Sequence, residues 1–251
     1  SEQRADLLTD LHRKADHELG VAASAAKAPK VAGKSQIKPA EFIPEVKQWG
    51  PRIVKGMSIQ AVSQHLNMNE LYRLSWGARN AHGQAWQDLQ KEFDLRRDQM
   101  LSKAAAEGWL KPQAVYGYWP VLADRNELIV YDPQTIESGT PAELTRLSLP
   151  RQVSGEGISL ADYFLQLGSD KFDVLALQVV TVSDVAANRI AELEKANDYS
   201  EAYFTHGLAV QMAEATADYL HNHIRRELKL KPDQGLRYSW GYTAIPDISD
   251  H

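Results

Sequence analysis

The apolar period of the chain changes near residue 110, and this change limits the folds that the chain can adopt. Residues 88–110, "DLQKEFDLRRDQMLSKAAAEGWL", carry apolar side chains at helical spacing and include a stop signal at Gly108. Residues 114–122 and 127–132, "AVYGYWPVL" and "ELIVYD", are instead β-branched and aromatic, and the turn-prone "ADRN" separates them. A helix followed directly by a hairpin indicates a fold that combines helices with antiparallel strands.

The elements after the hairpin complete this prediction. Residues 173–182, "DVLALQVVTV", form a continuous apolar run of strand length, which favours a central strand of the sheet. Two further helices are predicted around 183–196 and 200–228. Helices and strands in this mixed order predict an α+β fold, with a mostly antiparallel twisted β-sheet and surrounding helices.

The N-terminal forty residues differ in composition from the rest. Residues 2–19 alternate charges with Leu7, Leu8 and Leu11 at helical spacing, which predicts a short amphipathic helix. Residues 22–40 contain four lysines, no acidic residue and few large apolar side chains, a composition typical of a flexible linker. We therefore expect a helix over 1–20, a linker over 21–40 and one large domain over 41–251.

Composition narrows the possible partners. The chain has 28 basic and 33 acidic side chains, and its net charge of −5 gives no support to nucleic-acid binding. No window resembles a membrane span or a secretory signal, so we expect a soluble cytoplasmic protein without a membrane partner. The absence of cysteine excludes disulfides and thiolate metal sites.

The residues predict no catalytic group and no metal site. Asp218 and His221 have the spacing found in dimetal helix bundles, but no second motif of this kind is present. Charge pairing on the helix surface is the default interpretation. An enzyme that holds a metal ion with carboxylate side chains stays a minor alternative. The motifs of phosphate-binding loops, dinucleotide sites and serine hydrolases are missing.

The sequence near the C-terminus suggests a ligand site. Residues 235–246, "GLRYSWGYTAIP", place Arg237 among aromatic and glycine residues, and a guanidinium fork suits a ligand carboxylate. Glu214 lies among small apolar neighbours in "QMAEATA", where a carboxylate faces either a partner or a cavity. Alternatively, Arg237 pairs with a structural acid while the aromatic side chains fill the core. The residues alone indicate a binding domain for an anionic, partly aromatic ligand.

Five stretches, taken together and in order, resemble the reactivation domain of cobalamin-dependent methionine synthase. The similarity runs from about Phe42 to the C-terminus, although Ser183 stands where a glycine is usual. The stretches are "VYGYWP" (115–120), "LPRQ" followed by "SLADYF" (149–164), "VLALQVVTV" (174–182), "NDYSEAYFTHGLAVQMAEATADYLH" (197–221) and "RYSWGY" (237–242).

This resemblance implies a function. Enzymes of this family are methyltransferases that move a methyl group from methyltetrahydrofolate to homocysteine through cobalamin. The reactivation domain binds S-adenosylmethionine and caps the cobalamin, so that inactive cob(II)alamin is reductively methylated to methylcobalamin. The electron comes from a flavodoxin-like or other flavoprotein. The resemblance also implies that residues 1–20 end the preceding cobalamin-binding module, which mainly holds the cobalamin, that 21–40 are the interdomain linker, and that 41–251 are a reactivation domain truncated at its C-terminus.

The resemblance also assigns site residues. Arg237 would hold the methionine carboxylate of S-adenosylmethionine, and Glu214 would be the helix acid of the same pocket. Ser239 would contribute backbone contacts near the adenosine, and Tyr242 would line the site. The family has an aspartate for the ligand's amino group, and its position corresponds to Asn67 here.

Several departures from the family pattern leave a second interpretation open. Asn67 lacks the negative charge of that aspartate, Lys231 replaces a family glutamate, and relatives continue well beyond the loop. The alternative is a non-catalytic capping or interaction module that shields the corrin without binding S-adenosylmethionine.

Overall fold

The computed structural model describes residues 35–153, 155–242 and 244–246. The helix predicted over 1–20 and residues 21–34 of the predicted linker lie outside the described residues, as does the end of the chain after 246. Among the described helices, none is both long enough and apolar enough to cross a membrane.

The helices largely follow the predicted periods. The long helix predicted at 88–110 begins earlier and ends at Glu107, where Gly108 adopts a left-handed conformation with φ of 70°. A break that contains Asn67 and Asn69 separates a short helix from a π-helical segment. The α-helices are α1 Ile59–Ser63, α2 Gly83–Glu107, α3 Asp184–Lys195 and α4 Tyr199–Glu227, and the π-helical segment is Glu70–Ser75.

Within the described residues, the strands form one antiparallel sheet of five strands in the order β1-β2-β3-β4, with β5 also paired to β2. The α+β prediction is therefore confirmed. The predicted hairpin is β2–β3, and its turn has Arg125 in the left-handed region with φ of 59°. The strands are β1 Gly50–Val54, β2 Gln113–Asp124, β3 Glu127–Tyr131, β4 Glu143–Ser148 and β5 Asp173–Thr181.

The prediction that residues 173–182 form a central strand is wrong for the described part of the chain. There β5 pairs with β2 alone and lies at an edge of the sheet. The apolar run has a different cause: Val174, Ala176 and Val180 pack towards α4, while Leu175 packs on the opposite face of the sheet. Both faces of the strand are half-buried, so its residues do not alternate between apolar and polar.

Gly117 of the "VYGYWP" stretch permits a close approach between strands. A Cβ at this position would lie 2.4 Å from the main-chain oxygen of Gly50 and 2.9 Å from Cα of Pro51, so no larger residue fits without moving β1. The flanking tyrosines, Tyr116 and Tyr118, donate hydrogen bonds of 3.0 and 2.8 Å to Glu227 Oε2 at the end of α4. These contacts fasten the last turn of α4 to the sheet.

In the part of the chain that the structure describes, the buried side chains form three clusters, and two elements connect them. The first cluster joins α1, α2 and the first half of α4, and includes Leu208 and Met212. The second lies under the β2–β3–β4 part of the sheet and includes Val121 and Leu147. The third lies between the start of β2 and the second half of α4, around Leu220, Ile224 and Leu228. Helix α4 belongs to the first and third clusters, and strand β2 belongs to the second and third.

Candidate functional site

The structure brings Arg237 against two acidic side chains of α4. Glu214 and Asp218 are four residues apart, so they lie on the same face of the helix. Arg237 Nη2 donates to Asp218 Oδ1 at 2.8 Å and lies 3.6 Å from Glu214 Oε2. The Arg237 side chain is 27% exposed, whereas those of Asp218 and Glu214 are 50% and 52% exposed. The three charges therefore form a cluster at the surface that a ligand can reach.

Arg225, near the end of α4, holds the segment that leads to Arg237. We name residues 231–242 together with 244–246 the Arg237 loop. The Arg225 guanidinium donates hydrogen bonds to main-chain oxygens of the loop at Lys231, Pro232, Gln234 and Gly235. Gln234 Nε2 also donates to the main-chain oxygen of Phe42 at 3.2 Å. The loop is thus fastened at its start to the helix and to the N-terminal segment of the described chain.

The end of the Arg237 loop is fastened by a tight turn. Gly241, with φ of 81°, donates its N–H to the main-chain oxygen of Ile245 at 2.8 Å, and Ile245 donates to that of Tyr242 at 2.9 Å. Ile245 is buried in the second cluster, where half-buried Trp240 packs beside it. With both of its ends held, the loop presents Arg237 to α4 on a defined path.

The aromatic side chains of the loop divide between core and surface. Trp240 packs on the second cluster, as expected from the alternative in which the aromatic side chains of this stretch fill the core. Tyr238 and Tyr242 are exposed, Tyr242 to 67%, and Ser239 is half-buried. Two aromatic rings therefore face solvent on the segment that carries Arg237, and they can contact a ligand bound there.

Asn67 does not join this cluster through its side chain. Its Oδ1 accepts hydrogen bonds from the main-chain N–H groups of Asn69 and Glu70, at 3.1 and 3.2 Å, so it stabilises the start of the π-helical segment. The neighbouring His65 packs edge-on against Tyr219 of α4, with ring centroids 5.6 Å apart. Asn67 thus lies in a segment beside the same helix, and its assigned role stays a prediction.

His221, near Arg237, is mostly neutral, and burial is the main reason. Burial, together with the positive charges of Arg225 and Arg237, lowers the pKa of His221, while Asp218 opposes the shift. An imidazole whose pKa is below its usual 6.5 is neutral at pH 7. Because His221 adds no charge, Arg237, Glu214 and Asp218 together carry a formal charge of −1.

The geometry gives Asp218 a different role from the one its spacing to His221 suggested. Its carboxylate accepts from Arg237. Within the described ranges, no group of three or more histidine and acidic side chains is arranged to hold a metal ion. The sequence analysis missed Asp218 as the partner of Arg237 and Arg225 as the anchor of the loop. The available signal was the pair of acids four residues apart on a helix that precedes the arginine loop.

Comparison with known families gives a consistent result. The family described as "Vitamin B12 dependent methionine synthase, activation domain" matches residues 89–251. Methionine synthase of Mycobacterium leprae (strain TN) is 31% identical over 280 residues, which cover 98% of this chain and 23% of that relative. Methionine synthase of Mycobacterium tuberculosis (strain ATCC 25618 / H37Rv) is 30% identical over 274 residues, covering 96% and 23%. The chain thus spans about a quarter of the length of these relatives.

The fold also resembles a solved structure. A crystal structure of the MetH reactivation domain bound to AdoHcy has a TM-score of 0.68 against this chain at 21% identity. The match covers 83% of this chain and 68% of the other. The two chains therefore share the arrangement of helices around a curved antiparallel sheet.

Proposed function

The chain belongs to the family of vitamin B12 dependent methionine synthase activation domains, and on this premise we propose that it binds S-adenosylmethionine at the Arg237 loop. In this proposal it acts as a module of a methyltransferase. It caps cobalamin held mainly by the cobalamin-binding module of the same polypeptide, and a flavodoxin-like or other flavoprotein supplies the electron. The domain boundaries at 20 and 40 and the cytoplasmic location belong to the proposal as well.

The observation that carries the proposal is the partly exposed Arg237 on a loop fastened at both ends. Its guanidinium has donors beyond the one that Asp218 accepts, and a ligand carboxylate can use them without displacing the loop. Glu214, 3.6 Å away, is close enough to hold the ligand's ammonium group. Tyr242 and the main chain at Ser239 lie on the same loop and would border the adenosine. Asn67 would approach from the segment beside α4.

The described residues would bind and orient the methyl donor. Cobalamin would supply the chemistry of methyl acceptance when the neighbouring module presents it. The Arg237 loop contributes by fixing the amino-acid end of the donor, since one well-placed charged hydrogen bond contributes about 1.5–3 kcal/mol. A donor held at one end presents its methyl group in a restricted range of directions, and this restriction lowers the entropic cost of the transfer.

A calorimetric titration of S-adenosylmethionine into the full chain tests the proposal. We expect saturable binding that weakens roughly 10- to 100-fold in Arg237→Ala, because the ligand carboxylate loses its charged partner. Arg79→Ala is the matched control, since Arg79 is exposed on a 3₁₀ turn that belongs neither to α4 nor to the Arg237 loop. The proposal is wrong if the wild type binds no ligand, or if Arg237→Ala binds as tightly as Arg79→Ala.

A capping module that does not bind S-adenosylmethionine is the second candidate function. The observation that favours it is the pairing of Arg237 with Asp218, together with the neutral Asn67, whose side chain caps its own segment. The same titration separates the two candidates. An inert wild-type chain that still associates with the cobalamin-binding module would support the capping function.

A further inference from the structure

The Arg237 cluster contains more negative than positive charge. Two carboxylates, Glu214 and Asp218, share one guanidinium. The next cation along α4, Arg225, lies about two turns away, and its guanidinium is bound by main-chain oxygens of the loop. His221 stays neutral between them. Among the residues that the structure describes, the cluster therefore has one carboxylate in excess of the cations that contact it.

A ligand that carries one carboxylate and two cationic groups would balance this cluster. When the ligand's carboxylate binds the Arg237 guanidinium, the ion pairs of that guanidinium with both helix acids weaken. The two acids then need another positive charge nearby. S-adenosylmethionine supplies an ammonium and a sulfonium, so three negative groups face three positive groups. S-adenosylhomocysteine has the same carboxylate and ammonium, but its sulfur is a neutral thioether, and one acid stays unpaired.

We propose that Asp218 together with Glu214 determines specificity for the sulfonium ligand over the thioether that remains after its methyl group has left. The proposal rests on the proposed function, because it concerns the same ligand at the same loop. It assigns to Asp218 a charge-selective role in addition to its hydrogen bond with Arg237. The MetH reactivation domain crystallised with AdoHcy shows that a relative binds the thioether, so the selectivity is a ratio of affinities.

The expected ratio between the affinities for S-adenosylmethionine and S-adenosylhomocysteine is modest, because both carboxylates are half-exposed and solvent screens their charge. A unit charge about 6 Å from such a carboxylate gives roughly tenfold tighter binding at an effective dielectric between those of protein and water. Added salt reduces the advantage, since the Debye length falls from about 10 Å at 0.1 M to about 3 Å at 1 M.

The test compares two ligands across wild type and three variants of the full chain. S-adenosylmethionine and S-adenosylhomocysteine are titrated into wild type, Asp218→Asn, Glu214→Gln and Asp170→Asn. Asparagine at 218 keeps an oxygen that accepts from Arg237 and removes only the charge. Glu214→Gln removes the second charge without changing the 2.8 Å hydrogen bond. Asp170→Asn makes the same chemical change at an exposed residue outside the Arg237 loop and α4.

We expect wild type and Asp170→Asn to prefer S-adenosylmethionine by roughly tenfold, and Asp218→Asn and Glu214→Gln to reduce that preference to about threefold or less. The inference is overturned if wild type binds both ligands equally, or if neither variant changes the ratio. If Asp218→Asn weakens the binding of both ligands by the same factor, Asp218 only positions Arg237, and this result also overturns the inference. A wild type that binds neither ligand contradicts the proposed function itself, and the inference falls with it.

Discussion

Gly235 lies two residues before Arg237 and sets the path of the chain into the Arg237 loop. Its φ of 67° is in the left-handed region. A Cβ at this position would lie 2.4 Å from Cδ1 of Leu230 and 3.9 Å from Nη1 of Arg225. Backbone conformation and close packing thus both favour glycine, in the segment that Arg225 holds to α4.

We therefore expect Gly235→Ala to lower the free energy of unfolding by about 2 kcal/mol, of which about 1 kcal/mol comes from the positive φ and the rest from contact with Leu230. Urea denaturation measures the change. Gly139→Ala is the matched control, because Gly139 has φ of 76° and, apart from its chain neighbours, no described residue has a heavy atom within 4 Å of the place that an alanine methyl group would occupy there.

The double variant Gly235→Ala/Leu230→Ala separates the two causes. Relative to Leu230→Ala alone, the added alanine should cost only about as much as Gly139→Ala does, because the clash is gone. If Gly235→Ala by itself costs no more than Gly139→Ala, Leu230 rotates away freely and packing does not hold the loop there.

At the residue scale, the sequence indicated Arg237 and Glu214 but not their common neighbour Asp218. A carboxylate among small apolar residues and an arginine between glycines and aromatics are visible as residue types. Which acid the arginine contacts depends on where the loop docks, and Arg225 determines that docking through main-chain oxygens. Every residue type has a main-chain oxygen that can accept such a hydrogen bond, so the residue types of the loop do not reveal that Arg225 binds it.

At the element scale, an ion pair holds the short 3₁₀ turn Leu160–Tyr163 beside the end of β4. Arg151 Nη1 and Nη2 donate to the two oxygens of Asp162, each at 2.7 Å. Asp162 Oδ2 also accepts from the N–H of Ser159, whose hydroxyl accepts from Ala161. The resembling stretches "LPRQ" and "SLADYF" are thus joined by one bidentate pair and a capping box.

This pair makes the stability of the chain depend on pH. The hydrogen bonds from Arg151 outweigh the effect of burial and lower the pKa of Asp162 to about 2. Because the pKa in the folded state is depressed, the stabilisation is complete above the unfolded value of about 3.9 and is lost as pH falls towards about 2.

We expect Asp162→Asn to lower the free energy of unfolding by about 1–2 kcal/mol at pH 7, and to lower it progressively less between pH about 4 and about 2. Urea denaturation of both proteins at a series of pH values measures the difference, with Asp170→Asn as an exposed control. A difference that stays constant down to pH 2 would show that the variant disturbs packing and that the charge of Asp162 is not the cause.

The elements with a strong apolar period were predictable, and those with a weak one were not. The hairpin β2–β3 and the helices α2 and α4 follow their patterns. Strands β1 and β4 read "GPRIV" and "ELTRLS", and they lie at the two ends of the β1–β4 strand order with many exposed side chains. These two segments are strands because they pair with a neighbouring strand, and not because they are buried. Such pairing leaves no alternation of apolar and polar residues in the sequence from which it could be predicted.

At the scale of the whole molecule, helix α4 and strand β2 connect the three buried clusters. Met212 of α4 is buried in the first cluster and Ile224 of the same helix in the third. Val121 of β2 is buried in the second cluster, and Tyr118, three residues earlier, in the third. Damage to one cluster therefore displaces an element that another cluster needs, and the described domain should unfold as a single unit.

Truncating one residue in each cluster tests this connection. We expect Met212→Ala and Ile224→Ala to cost about 2–5 kcal/mol and Val121→Ala somewhat less, since all three side chains are buried. Each variant should shift one urea transition to a lower midpoint without changing its slope. Leu74→Ala, at a side chain that is largely exposed, is the control and should leave the midpoint nearly unchanged.

Two probes show whether the transition stays single. Far-ultraviolet circular dichroism reports mainly on the helices, whereas tryptophan fluorescence reports on all three clusters, through Trp76, Trp119 and Trp49 among others. Coincident curves in every variant mean that α4 and β2 transmit the loss of packing across the domain. If the two curves of a variant separate, or if the slope of its urea transition falls, the cluster that carries the substitution unfolds alone. The Arg237 loop is held by both α4 and the second cluster, so in that case it would lose one anchor before the other.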